Sequence, residues 1–179
     1  MAFAFSQSLH PVLIMSVVET LVSLCAPFAK VYGHSKVLSI GTTYAHIASM
    51  LWAGGLAISA DKNAFALAAQ SPDEVARHVA SQRALHRWVI AGLTFSVVSG
   101  LMMFAAEVDT FATSLLYWSK MSSVALLLGN GLLLQRAEKS LTANPSDAAA
   151  LGRLRLSAGL SLALWFVVAL LGVIVKTEA

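Results

Sequence analysis

Long apolar runs dominate the chain, and most of its polar residues fall between them. Crossing the ~30 Å hydrocarbon core of a bilayer takes about 20 residues of α-helix. Five runs are long and apolar enough to do so, and they cover residues 9–28, 37–60, 87–106, 111–135 and 154–175. We therefore predict an all-α protein, an integral membrane bundle of five transmembrane helices in contact with membrane lipid, with residues 1–179 forming a single domain.

The composition agrees with this pattern. Of the 179 residues, 58% are hydrophobic and 12% are charged, whereas roughly a quarter of the residues in a soluble domain are charged. The net charge of +3 is modest and gives no argument for nucleic-acid binding. The single cysteine, Cys25, leaves no possibility of an internal disulfide.

Basic residues are distributed unevenly between the two ends of the runs. The second and fourth connections, with the adjoining run ends, hold eight Lys and Arg residues, whereas the opposite side holds Lys30, Lys36 and Lys176. Loops on the cytoplasmic side of membrane proteins are enriched in Lys and Arg. We therefore predict a multi-pass protein of a bacterial-type inner (plasma) membrane, with a cytoplasmic amino terminus and an outer carboxyl terminus.

The second connection carries a helix-start signal. In Ser71-Pro72-Asp73-Glu74, a serine N-cap is followed by a proline at the first helical position and a capping-box glutamate. We predict a short cytoplasmic helix before the third span.

Small residues recur at intervals of four in the third run, at Gly92, Ser96 and Gly100, and cluster at residues 53–55 of the second. Small residues let membrane helices approach one another closely. We expect helix contacts at both places.

Three ionisable side chains lie inside the apolar runs, where polar groups are costly and are usually functional. Glu19 is nine residues before the end of the first run, and His46 and Lys120 are each nine residues after the start of theirs. At ~1.5 Å per residue, each lies roughly 13 Å from the outer end of its helix. We predict that a carboxylate, an imidazole and an ammonium share one layer of the bundle.

Two interpretations of this layer are open. In the first, Glu19 and Lys120 form an ion pair that neutralises two expensive charges, and His46 is hydrogen-bonded to a nearby serine or carbonyl. In the second, the layer is a cofactor, proton or ion site that faces the bundle interior. The histidine favours the second interpretation because an ion pair does not require it.

The residues after His46 indicate two kinds of ligand. Met50 lies one turn later on the same helix face, and Gly54 and Gly55 could leave room for a flat group. An imidazole in a helical bundle is a common axial ligand to haem iron. A His and a Met at this spacing would also suit a soft copper ion.

A longer pattern connects this stretch with a later run. His46, Trp52, Gly54 and Gly55 in the second run are followed by Tyr-Trp-Ser-Lys at residues 117–120. This pattern resembles the copper resistance D family of membrane proteins. It is also similar to the membrane protoporphyrinogen oxidases of haem synthesis, which share a His-then-Trp-x-Gly-Gly helix and a Lys at the start of another helix.

The resemblance covers about residues 37–175 and implies a haem-associated or copper-associated bundle in which His46 and Lys120 are the positions that matter. We predict a protein that binds haem b through His46, with Lys120 as a sixth ligand or propionate partner and Glu19 setting the local charge. Its expected role is electron transfer or haem-linked redox chemistry, and it is a candidate membrane oxidoreductase.

Two alternatives remain. One is a copper import or permeation protein that uses His46 and Met50. The other is a non-catalytic subunit of a larger membrane complex or homo-oligomer, with Glu19 and Lys120 as an assembly clasp. Of the remaining histidines, His86 is expected at a membrane interface and His78 in solvent.

Overall fold

The structure, a computed structural model, describes residues 2–67 and 71–178, and within these all side chains except those of residues 2–14, 83, 176 and 178. This part of the chain folds entirely into helices joined by short turns. The helices are α1 (Ala2–His34), α2 (Lys36–Ala66), α3 (Pro72–Ala106), α4 (Val108–Ala112), α5 (Leu115–Ala143) and α6 (Ala148–Glu178). The predicted all-α class is confirmed for the described residues.

Three of these helices contain segments that are long and apolar enough to cross a membrane. They are Met15–His34 in α1, Pro72–Ala106 in α3 and Ala148–Val175 in α6. Helices α2 and α5 are of similar length, with 31 and 29 residues, but fall outside this group. The described residues thus form a helical protein with three candidate membrane spans. That five helices cross the membrane stays a prediction.

The short helix predicted from Pro72 runs into the third span as expected, since α3 continues unbroken for 35 residues. Its predicted start is confirmed. The backbone N–H and the hydroxyl of Ser71 donate to the Glu74 carboxylate at 2.8 and 2.9 Å. No glycine or further proline interrupts residues 73–91, so the capped first turn continues directly into the apolar run.

The remaining turns are short and are fixed by polar side chains. Only Ser35 separates α1 from α2, and its hydroxyl accepts the Leu38 N–H at 3.2 Å. Ser114 begins α5 by accepting the Tyr117 N–H at 3.2 Å. Asp147 begins α6 by accepting two backbone N–H groups at 2.9 and 3.0 Å. Each cap satisfies donors that a helix start leaves unpaired.

Glycine brings α2 and α3 together. A Cβ atom placed on Gly92 would lie 3.0 Å from the Ala53 Cβ and 3.2 Å from the Ser49 carbonyl oxygen. Only a residue without a side chain permits this spacing between the two helices. The expected contact between the small residues of the second and third runs is therefore confirmed at this position.

Helices α5 and α6 pack through a core of small and branched apolar residues, which Ala64 of α2 and Val79 of α3 also join. Ala137 and Leu141 of α5 and Ala150, Leu154 and Ala158 of α6 are all at most 2% exposed. Farther along the same interface, the side-chain amide of Asn130 donates to the Ser157 carbonyl at 2.8 Å.

The outer surface of the bundle is apolar. Large hydrophobic side chains are exposed on all five long helices, including Leu24 on α1, Leu51 on α2, Phe95 on α3, Leu126 on α5 and Phe166 on α6. A surface of this kind suits lipid or another apolar partner rather than water.

Candidate functional site

His46 is half-buried on α2 and faces α3. Its Nδ1 lies 2.8 Å from the Ser96 carbonyl oxygen and 3.2 Å from the Ser99 hydroxyl oxygen. Because a carbonyl oxygen can only accept, Nδ1 carries the hydrogen of this bond. In the neutral imidazole the lone pair therefore lies on Nε2, which has no hydrogen-bond partner among the described residues.

Gly100 provides the space for the imidazole. A Cβ atom on Gly100 would lie 3.2 Å from His46 Cε1 and 3.5 Å from Nδ1. The small residues that the sequence places on one face of the third run thus do two things: they bring the helices together and they form the wall on which His46 rests.

Lys120 lies in the same region as His46. Its side chain is half-buried on α5, and a Cβ atom on Gly172 of α6 would be 3.6 Å from Nζ. The Lys120 charge acts electrostatically on His46. The two residues are thus near enough for their charges to interact, but no hydrogen bond joins them among the described residues, and their shared layer with Glu19 stays a prediction.

Glu19 is not part of this group. It is exposed on α1, a helix that packs against α2, α3 and α4. Among the described side chains, ion pairs join His86 to Glu138 and Arg153 to Asp147, and none joins Glu19 to Lys120. The ion pair of the first interpretation is therefore absent among the described side chains. The serine and carbonyl contacts of His46 that accompanied this interpretation are present.

The other residues of the sequence motif lie in different surroundings. Trp52 is 59% exposed on the outside of α2. A Cβ atom on Gly54 would lie 3.1 Å from the Trp165 ring of α6, whereas one on Gly55 would meet nothing within 4 Å. The space expected for a flat ligand at Gly54 is therefore occupied by an indole of the chain itself.

Met50 is half-buried one turn after His46. Among the described residues, no group of three or more His, Cys, Asp or Glu side chains is arranged to hold a metal ion. The copper site at His46 and Met50 stays a prediction.

Aromatic residues fix the beginning of α5. The Tyr117 ring stacks on Phe104 at a centroid distance of 5.2 Å and lies 5.4 Å from Phe111. The Trp118 indole N–H donates to the Ala112 carbonyl at 2.9 Å. These contacts join α5 to α3 and α4, and they fix the turn of helix that carries Lys120.

A second polar region, which the sequence did not single out, lies between α2, α3, α5 and α6. It is a cavity of about 290 Å³, here called the polar cavity. Asp61, Gln82 and Glu138 in its wall are only 3%, 6% and 4% exposed, and His78 and His86 line it as well. Polar side chains of this kind are rarely so deeply buried without a partner or a role.

Hydrogen bonds connect these groups. His86 Nδ1 lies 3.6 Å from Glu138 Oε2 and donates to the Gln82 carbonyl at 3.3 Å. The Gln82 amide nitrogen donates to His78 Nε2 at 3.0 Å. The Ser161 hydroxyl lies beside the Asp61 carboxylate.

His78, which was expected in solvent, is half-buried in the wall of the cavity. His86 lines the same cavity, and its expected position at a membrane interface stays a prediction. Asp61, His86 and Glu138 lie at or just beyond the ends of apolar runs, where a sequence pattern indicates an interfacial side chain. Four helices converge at this end and enclose them. The sequence carries one indication of this cavity. A carboxylate, an imidazole and a second carboxylate lie at the ends of three apolar runs, on the same side of the predicted bundle.

Comparison with protein-family models, curated proteins and solved structures finds no match for this chain. The fold and surface define it as a helical protein with three candidate membrane spans and two separate polar regions. The resemblance to the copper resistance D family rests on the residues quoted above and stays a prediction.

Proposed function

We propose that this protein is a five-helix membrane bundle that binds haem b through His46 and acts in electron transfer or haem-linked redox chemistry. The observation that supports it best is the hydrogen bond from His46 Nδ1 to the Ser96 carbonyl. Histidines that ligate metals usually donate their other ring N–H to a carbonyl or carboxylate, which fixes the tautomer and the ring orientation. His46 has this arrangement, and its Nε2 is the ligating atom in the proposal.

The residues around His46 fit the role of an axial ligand. Ser96 and Ser99 orient the ring, and Gly100 allows it to lie against α3. Lys120, whose charge acts on the same ring, would serve as a sixth ligand or as the partner of a haem propionate. When bound, the haem would supply one-electron chemistry, and the helices would tune its potential through this ligation and through local charge.

The surface supports the proposal of five spans. Helices α2 and α5 expose large apolar side chains along their length, as the three candidate spans do. Examples are Ile40 and Leu51 on α2 and Leu126 and Leu133 on α5, each more than half exposed. Side chains of this kind are expected to face lipid. The proposed orientation, with the amino terminus in the cytoplasm of an inner membrane, follows from the distribution of basic residues.

The test is an ultraviolet-visible spectrum of the detergent-purified protein, oxidised and then reduced with dithionite, with iron and copper measured on the same sample. We expect a Soret band that shifts on reduction and iron without copper. The His46→Ala variant should insert into the membrane but lack the band. His34→Ala is the matched control, since His34 is exposed at the end of α1 and bonds only to its own helix.

A colourless wild-type protein, or a His46→Ala variant with unchanged haem content, would exclude the proposal. Copper in place of iron would favour the import or permeation alternative that uses His46 and Met50. No observation among the described residues favours copper over haem.

One observation favours a second candidate, a non-catalytic subunit of a larger membrane complex. Glu19 is exposed within the candidate span of α1, near the Met15 end, and has no ion-pair partner among the described residues. A carboxylate that faces lipid is costly, whereas a polar group on a neighbouring chain would stabilise it. Blue-native electrophoresis of wild type and Glu19→Gln should then show loss of a larger assembly in the variant. A monomeric wild-type protein would exclude this candidate.

A further inference from the structure

The polar cavity contains acceptors that the protein itself leaves without donors. Among the described residues, Asp61 Oδ2 and Gln82 Oε1 are buried and have no hydrogen-bond partner, and both residues line the cavity. Their exposed fractions are 3% and 6%. Because an unsatisfied buried acceptor is expensive, a group that donates hydrogen bonds is expected in this space.

The charge of the wall indicates what kind of donor. The carboxylates of Asp61 and Glu138 both belong to the cavity lining, and the imidazoles of His78 and His86 are the other ionisable groups among the described lining residues. His86 is engaged with Glu138, and His78 accepts from Gln82. Asp61 has the Ser161 hydroxyl beside it and the His86 imidazole within electrostatic reach, but it forms no ion pair with any described side chain. A positively charged donor is therefore favoured beside Asp61.

The rest of the wall is apolar and includes Val79, Leu93, Leu127 and Trp165. At about 290 Å³, the space is near the lower end of the range for small-molecule pockets. A bare metal ion does not fit this wall, because the described residues supply no group of three His, Cys, Asp or Glu ligands. An ion with a few N–H donors and a small apolar body matches both parts of the wall.

We propose that the polar cavity binds a small organic ammonium ion, whose N–H groups donate to Asp61 and Gln82 and whose apolar part lies against Leu93, Leu127 and Trp165. The lining residues Asp61, His78 and Glu138 lie near the end of α2, the start of α3 and the end of α5, so the site belongs to one end of the bundle. It is separate from His46, which is not part of the cavity wall. Its test is therefore independent of haem binding.

The experiment is calorimetric titration of the full chain in lipid nanodiscs with methylammonium, butylammonium and 2-phenylethylammonium, and with the alcohol that matches each. Protein-free nanodiscs give the background from partitioning into lipid. We expect saturable binding of at least one ammonium ion and at least tenfold weaker binding of its alcohol. Asp61→Asn should weaken ammonium binding tenfold or more, because it removes the charge while keeping the shape.

Asp109→Asn is the matched control, since Asp109 is exposed on α4 and its loss should leave the affinity unchanged. A second variant, Gln82→Met, removes the other acceptor at similar volume and should weaken binding severalfold. The proposal is overturned if no ammonium ion binds saturably, if the alcohols bind equally well, or if Asp61→Asn changes nothing. Those results would mean that ordered water satisfies the two acceptors.

Discussion

The His46 site and the polar cavity contain similar chemical groups but are built in different ways. His46 rests on one neighbouring helix, against a backbone carbonyl and a glycine of α3. The polar cavity needs four helices, and its buried groups come from residues that lie far apart in the sequence. The first site depends on local spacing along two helices, whereas the second depends on the arrangement of the whole bundle. Substitutions should therefore affect them differently.

The largest effect on stability is expected in the polar cavity, for Glu138→Ala. This change leaves His86 without its carboxylate in a region that four helices enclose. With His86 protonated, the free energy of unfolding should fall by about 3 kcal/mol, the lower end of the range for a broken buried ion pair, since a quarter of the His86 side chain remains exposed. Reversible unfolding in mixed micelles would measure it.

Glu107→Ala is the control for this change, because Glu107 is exposed in the turn before α4. It should alter the free energy of unfolding by no more than about 0.5 kcal/mol. Equal effects of the two substitutions would show that the cavity carboxylate is not specially important to the bundle.

A somewhat smaller effect is expected at the His46 site, for Gly100→Leu. The new side chain would collide with the imidazole, whose Cε1 is 3.2 Å from the position of the added Cβ. Overpacking of this kind costs about 2 kcal/mol, and the displaced His46 should no longer bind haem. Unfolding and the Soret absorbance would be measured on the same preparation.

Gly129→Leu serves as the control, since a Cβ atom there meets nothing within 4 Å. This variant should keep the free energy of unfolding and the haem content of the wild-type protein. If Gly100→Leu retained full haem content, the position of the ring against α3 would not matter for ligation.

Ser99→Ala tests which hydrogen-bond partner orients the His46 ring. The variant loses a 3.2 Å contact to Nδ1 but keeps the Ser96 carbonyl at 2.8 Å. The expected loss in the free energy of unfolding is about 1 kcal/mol, with haem content unchanged. Ser122→Ala on exposed surface is the comparison. Complete loss of haem in Ser99→Ala would mean that the hydroxyl, rather than the carbonyl, fixes the tautomer.

The smallest effect is expected for Met50→Leu. The two side chains have similar volumes and the position is half-buried, so the free energy of unfolding should change by about 0.5 kcal/mol or less. Haem content should not change, because His46 alone ligates from this helix in the proposal. Copper and iron would be measured in this variant and in Met103→Leu, which changes another half-buried methionine. The comparison decides whether Met50 takes part in metal binding. A loss of bound copper confined to Met50→Leu would favour the copper alternative.

The sequence by itself determined the helical class and most helix positions, because long apolar runs, serine and aspartate caps and proline act through local physics. It also identified His46 and Lys120, since an ionisable residue inside an apolar run is conspicuous without any structure. The small residues of the third run predicted a close helix contact, which Gly92 makes with α2.

Tertiary packing decided the rest, because it sets the rotation and neighbours of each helix. Glu19 has the same predicted depth as Lys120, but α1 packs mainly against α2, α3 and α4 and leaves Glu19 exposed, so depth alone could not predict a pair. Gly54 receives the Trp165 ring, a contact between residues more than 100 positions apart. Asp61 and Glu138 look interfacial in the sequence, and they become buried only because α2, α3, α5 and α6 converge around them.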